Sequence, residues 1–519
     1  MKRVLPIILI LFSITSGERV QAQFLLGQSS SNYAGVHGVY LNPATAADSR
    51  YKVQIHLAGF ETYFYNNYLV WQAPYSPFQM MTNTVPSKYR GPNNGIIFRD
   101  QEYLREKLNG RDKHVRAGAE IRGPGVLFTI NNKNAISINS RLRVGAAATN
   151  VSESVARLLK NGTVVSGRIE PEDFGAHLHA NTNALVELSG TYARVLLDDE
   201  EEFIKVGITA KRLISLQQSH IHGQNINYEY ITDPSVPNGA YVRLNNLSAQ
   251  YGMTNEGAYS NASFSPAWLL GNASAGSGWG ADLGFVYEYR PDVRKYSYRE
   301  KGQMLKDNSK NKYLYRVSVS LLDIGRVSYK NPNYVEAYDL QRSGLILNES
   351  NFRQSPGLPG VMDGLNQTLR SSPEDQVSVY RTLLPTRLQA SVDYLVKDKV
   401  YVNAMVIQGF VSNRNVNFTM PSLLAVTPRY EAKWFEVAVP FSLTDNYSRV
   451  AMGIGARAGI LYVGSDNILP TFNIGNPKGM EFHFGLQIPI YRKPPESQLK
   501  CYPETEKRGI FGFLKNKRR

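Results

Sequence analysis

Two His-x-His pairs, His177/His179 and His220/His222, are the residues in this 519-residue chain best suited to chemistry by type and spacing. Imidazoles suit zinc, copper or nickel. The pairs lie at nearly equal distances from the acidic turn Leu197–Glu202, so a hairpin would carry all four to one end. Face assignment opposes a metal site. A strand sends alternate side chains to opposite faces, and Ala184, Val186, Leu188, Ile204, Val206 and Ile208 mark even positions as the apolar face of both strands. His177 and His179 are then on the polar face and His220 and His222 on the apolar one. The pairs point apart unless a bulge intervenes, and no metal is assigned.

Other constellations are weaker. Gly453-Ile-Gly455-Ala-Arg-Ala-Gly459 has the wrong spacing for a dinucleotide loop and lies in a strand pattern. No Gly-x-Ser-x-Gly elbow or His-Glu-x-x-His motif occurs. Asp393 and His483 with a nearby serine would be a catalytic guess that no spacing supports. Cys501 is the one cysteine, near the far end, so no intramolecular disulfide can form. No catalytic residue and no cofactor is assigned, and the reading is non-enzymatic.

The elements that would position these residues are strands. Met480–Tyr491 sets Met480, Phe482, Phe484, Leu486, Ile488 and Ile490 against Glu481, His483, Gly485, Gln487 and Pro489. Similar alternation runs through Ala135–Val144, Lys312–Leu321 and Thr386–Val396. The interior of a soluble sandwich would exclude so many charges. A barrel with lipid outside and a hydrated lumen accommodates them. The expected fold is therefore all-β, a transmembrane antiparallel β-barrel of about fourteen strands. Its lumen would carry Arg141, Arg143, Glu187, Arg316, Arg387, Asp393, Glu481 and His483, with Lys205 and Lys211.

The ends agree with export. Lys2 and Arg3, the apolar run Val4–Phe12 and the cleavage positions Val20-Gln21-Ala22 read as a signal peptide over 1–22. Residues 23–492 would form the barrel with its N-terminal hatch at 23–50, and 493–519 a basic periplasmic tail. The net charge of +15 is concentrated in Arg290–Lys312 and Lys493–Arg519. Such segments suit anionic lipid headgroups or a periplasmic protein better than nucleic acid. Short links at Asn131–Asn134, Leu197–Glu202, Lys397–Lys399 and Glu431–Lys433 alternate with long ones at 69–116, 150–181, 218–278 and 330–384. Barrels of this kind put short turns in the periplasm and long loops outside, which leaves both termini periplasmic. Ser152–Lys160 reads as a short amphipathic helix in an outer loop. The aromatic run from Phe60 through Tyr63, Tyr65, Tyr68, Trp71 and Tyr75 to Phe78 reads as an interfacial belt.

Tyr40-Leu41-Asn42-Pro43-Ala44-Thr45-Ala46-Ala47-Asp48, entering the first strand, resembles the start of FadL-like outer-membrane barrels, a superfamily that includes the PorV-like proteins of Bacteroidota secretion. Ser320–Gly325, Leu384-Pro385-Thr386 and Leu461–Asn467 are similar to a Bacteroidota branch without assigned function. The resemblance implies a plug or hatch at Asn42, Pro43 and Ala44. It also implies passive binding or passage of a small ligand, an apolar one among the options, across the outer membrane. The alternative is a non-enzymatic scaffold that docks secretion or surface-assembly proteins through Lys493–Arg519. The charged lumen departs from a path built for alkyl chains.

Overall fold

The computed structural model describes residues 25–162, 169–236, 239–260, 262, 265–271, 274–300, 303–347, 357–410, 422–475 and 477–493. The signal segment 1–22, nearly all of the tail, and Cys501 with it lie outside the described residues.

Fourteen antiparallel crossings form a closed barrel. They are β1 (Tyr51–Asn66), β2 (Lys113–Thr129), β3 (Asn134–Val151), β4 (Glu172–Asp198), β5 (Glu202–Thr232), β6 (Gly276–Tyr289) and β7 (Tyr315–Tyr329). Then follow β8 (Arg387–Lys397), β9 (Val400–Gly409), β10 (Leu423–Glu431), β11 (Phe435–Ala438 with Phe441–Thr444), β12 (Arg449–Met452 with Ile454–Ala458), β13 (Leu461–Ser465) and β14 (Gly479–Tyr491). β14 pairs with β1 from Tyr51↔Tyr491 to Tyr65↔Gly479 and closes the wall. Closure leaves no unpaired edge, which is what lets strands stand in lipid. β11 is interrupted at 439–440, where Pro440 has no N–H to donate. β12 is interrupted at Gly453.

Alternation in β14 sorts its side chains as a lipid-facing wall requires. Phe482, Phe484, Leu486, Ile488 and Ile490 are exposed on the outside, whereas Glu481, His483 and Gln487 are buried inside. Ile208, Leu283, Phe285, Val319, Leu388, Val392, Leu424 and Val426 continue the exposed apolar band around the barrel. So large an apolar surface is costly in water and is covered by hydrocarbon in a membrane. The chain is an outer-membrane β-barrel.

β4 and β5 have 27 and 31 residues, where a spanning strand needs about 9–11. Their outer halves rise beyond the barrel still paired to each other, and that of β5 pairs with a further strand, Ala240–Thr254, which in turn pairs with Val335–Arg342 and Leu345–Leu347. Tyr228, Val242, Tyr251 and Met253 of this outer sheet form a core with Val155 and Ala156 of one helix (Glu153–Asn161) and Met362 and Leu369 of another (Gly357–Leu369). The first of these helices begins within a residue of the amphipathic segment read from sequence. The basic link after β6 is a small hairpin, Ser297–Glu300 against Gln303–Lys306.

The aromatic run is only partly a belt. Phe64 and Phe78 are exposed, but Tyr63, Tyr65 and Tyr68 are buried. Tyr75, 1% exposed, packs with Ala73, Val85 and Tyr103 in a separate core of the first long loop. Beyond the register shift at His56/Ala58 the odd positions of β1 turn inward, and the loop folds back on itself, so these rings meet protein where the sequence reading placed headgroups.

Candidate functional site

The lumen is filled from the N-terminal side. Residues 25–47 enter the barrel as two short helices, α1 (Leu26–Ser29) and α2 (Val36–Leu41), followed by a 3-10 turn at Pro43–Ala46. Asn42 caps that turn, accepting the Ala44 N–H at 2.9 Å, and its Nδ2 donates to the carbonyls of Phe285 and Val319 at 3.1 Å each. Pro43 and Ala44 press on Gly207 of β5 and Gly284 of β6, which are paired across the wall. A Cβ on residue 207 would come within 2.4 Å of the Pro43 carbonyl carbon. Further bonds tie the segment down: Val36 N–H to Gln54 (2.6 Å), Arg316 to the Ser30 carbonyl (2.7 Å), Ser320 to the Leu41 carbonyl (2.7 Å) and Lys205 to the Ala47 carbonyl (3.0 Å).

Around this segment the inward charges are paired. Asp323 lies 2.6 Å from Lys211, 2.7 Å from Arg387 and 3.0 Å from Arg143. Glu187 is 2.8 Å from Arg141, and Asp282 is 2.7 Å from Lys211. A second group joins Asp393 to Arg429 (2.6 Å) and Arg316 (3.0 Å), with Arg429 also on Glu431 at 2.6 Å. A third joins Arg290 to Glu288 (2.5 Å) and Asp48 (2.7 Å). Pairs like these recover little net stability because desolvation offsets attraction, but an uncompensated partner would be costly. They rigidify the lumen.

Arg141, Arg143, Glu187 and Arg387 thus meet at one cluster. Arg316 and Asp393 sit in another. Glu481 and His483 stand apart beside β13, with His483 Nδ1 2.8 Å from Glu481 Oε1. Asp393 and His483 have different partners, which removes the catalytic guess joining them. A small recess opens beside the plug and the β6–β7 link, lined by Ser30, Asn32, Arg50, Lys312 and other polar groups.

The histidine expectation needs correction. His179 and His222 are directly opposed across β4 and β5, with ring centroids 3.7 Å apart. The register shifts between Ala184↔Gln217 and Leu185↔Ser215, leaving Leu216 unopposed. That extra residue reverses the parity of β5 beyond it. His220 packs on Tyr380 at 4.8 Å, and His177 bonds Ser152 and Asp112, so the four are strung along the outer sheet and do not converge.

Two features escaped sequence reading. Asp323 sits at a register shift in β7 with φ +56°, so strict alternation could not assign its face. Met405, Ile407, Leu423 and Ala425 turn inward from β9 and β10 and pack on Leu26 and Leu41 of the plug. The signal was present: these two strands are apolar at both odd and even positions, with Ala404, Val406, Leu424 and Val426 between.

A family model described as "Family of unknown function (DUF5723)" matches residues 43–466. No curated protein matches the chain. Among solved structures, similarity extends to a FadL homologue of Pseudomonas aeruginosa (10% identity, 92% of this chain and 99% of that one, TM-score 0.39). It extends also to the toluene transporter TodX of Pseudomonas putida (8%, 89% and 94%, TM-score 0.38). The outer membrane protease OmpT of Escherichia coli is a looser match (7%, 84% and 95%, TM-score 0.20).

Proposed function

The chain belongs to the family of unknown function DUF5723, and from that premise we propose that it is a non-enzymatic barrel that binds and passes a small apolar ligand, with the N-terminal plug as its gate. The observation that carries this reading is the inward apolar patch of Met405, Ile407, Leu423 and Ala425 under Leu26 and Leu41. Elsewhere the inner wall carries the ion-pair groups and one further apolar patch, Leu127, Ala135, Val195 and Phe203, under Val36 and Val39 of the plug. Here the wall is apolar on both faces, and it adjoins the interruption of β11 at 439–440. Displacing α1 and Leu41 would uncover an apolar surface continuous through the wall to the lipid-facing side, where a hydrophobic molecule gains by burial. In the same reading the 1–22 segment directs export, Asn42-Pro43-Ala44 is the hatch, and the long loops face outward with both termini in the periplasm. A PorV-like, Bacteroidota ancestry belongs to it too.

The test is purification of the full chain from outer membranes in mild detergent, with mass spectrometry of organic extracts and of co-purifying proteins. A bound apolar molecule that is lost in Ile407→Asp supports passage. A ligand-free barrel that retains periplasmic proteins, and loses them on deletion of 493–519, replaces this reading with the docking scaffold.

A further inference from the structure

Asp466, Glu481 and His483 converge where β13 and β14 meet the plug. They are 2%, 2% and 1% exposed, and one ligating atom of each lies within 4.8 Å of the others. Glu481 and His483 are two apart on β14 and so share its inward face. Asp466 follows directly after β13.

The charges here do not balance as they do elsewhere in the lumen. Glu61, Asp466 and Glu481 lie within electrostatic reach of one guanidinium, Arg122, which Glu61 engages at 2.7 Å and Glu120 at 2.5 Å. Asp466 accepts the Leu26 N–H through both oxygens at 3.1 Å, and Glu481 accepts the Asp466 N–H and faces His483. These contacts orient the carboxylates without supplying a positive charge, and buried carboxylates need one or must bind protons.

Two imidazoles give an independent sign. The Nε2 of His483 has no hydrogen-bond partner, and neither ring nitrogen of His37 has one. His37, 2% exposed, stands on the plug side within electrostatic reach of His483. Nδ1 of His483 faces Glu481, so this is the nitrogen that gives up its proton and ligates beside that carboxylate when an ion binds. Gly464 leaves room for the ring, since a Cβ there would fall 2.5 Å from its Nε2.

We propose that Asp466, Glu481 and His483 bind a divalent transition-metal ion of the zinc or manganese class, which staples the plug to the last two strands. Two carboxylate oxygens and an imidazole nitrogen suit these ions, whereas calcium and magnesium prefer all-oxygen sites. The staple acts on the plug because Asp466 also holds Leu26.

The test measures metal in the full-length protein, purified in mild detergent without chelator, by plasma mass spectrometry. Chelated protein is then titrated with Zn²⁺ and with Mn²⁺ while its thermal unfolding is followed. About one ion per chain and a Tm that climbs with metal concentration are expected, both lost in His483→Gln and Glu481→Gln. If the carboxylates are neutralised by protons alone, wild-type protein takes up neither ion and its Tm ignores both, and the proposal falls. Should the variants fail to fold, the wild-type titration still decides. It does so independently of any apolar ligand.

Discussion

Asn42 on the plug and Gly284 on β6 approach so closely that a Cβ on residue 284 would fall 2.1 Å from the Asn42 Oδ1. Gly207, paired with Gly284 across the wall, meets Pro43 in the same way. The two glycines are a cradle shaped for the Asn-Pro-Ala turn, and any side chain there competes with the plug for space. Gly284→Val should therefore release the plug while the barrel, whose strand pairing runs through the backbone, still forms. A cysteine placed at Ala44, in a Cys501→Ser background, would be shielded from a charged maleimide in the parent and labelled in the Gly284→Val form. Equal protection in both would show that the cradle does not hold the plug.

Asp323 carries the densest of the lumen's ion-pair groups. Its carboxylate serves Lys211, Arg387 and Arg143 within 3.0 Å. Asp323→Asn leaves those cations buried with one fewer counter-charge. The expected cost is about 3–5 kcal/mol, the range for breaking a buried pair. Thermal unfolding in detergent should show it as a clear drop in Tm. A change within the scatter of surface substitutions would mean that water reaches the cluster and screens it.

Alternation made most of the barrel readable, because a strand with one face in lipid and one in a charged lumen must write both into every second residue. β14 is the clearest case. The same rule failed wherever the backbone departed from period two. Leu216 in β5 and Asp323 in β7 each sit at a register shift, and parity counted across either one is inverted. The plug cradle was not readable because a glycine in a strand announces only the lack of a side chain. What fills the space, Pro43 and Asn42, arrives from more than 150 residues away in sequence for Gly207 and more than 200 for Gly284.

The unopposed Leu216 makes a test of that point. Deleting it removes the bulge, so the outer half of β5 must either slip by one residue against β4 or turn its faces over. Either change separates His179 from His222, now 3.7 Å apart by ring centroid, and strips Tyr228 from the outer core. Limited proteolysis should then cut within the outer sheet, with the barrel fragment surviving. Unchanged digestion would mean that the strand absorbs the deletion elsewhere.

Acid should open the outer cap before it touches the barrel. Glu106 holds Lys160 of the Glu153–Asn161 helix at 2.8 Å. Glu153 holds Lys113 at 2.5 Å and accepts the N–H groups of Asn109 at 2.7 Å and Gly110 at 3.1 Å. Burial alone would push both carboxyls up. The lysine bonds and charges, with Asn161 and Tyr68 for Glu106 and the two backbone donors for Glu153, reverse that, and both lie below their ordinary 4.5. A carboxylate held down in the folded state contributes stability above its unfolded value, and that contribution is lost as pH falls through the folded one. Hydrogen exchange over residues 104–112 and 153–161 should therefore be slow and flat above pH 4.5 and quicken, after correction for intrinsic rates, as the pH drops below it. The double variant Glu106→Gln/Glu153→Gln should exchange faster at neutral pH and lose the acid step. An acid step that persists in the double variant would assign the opening to other groups.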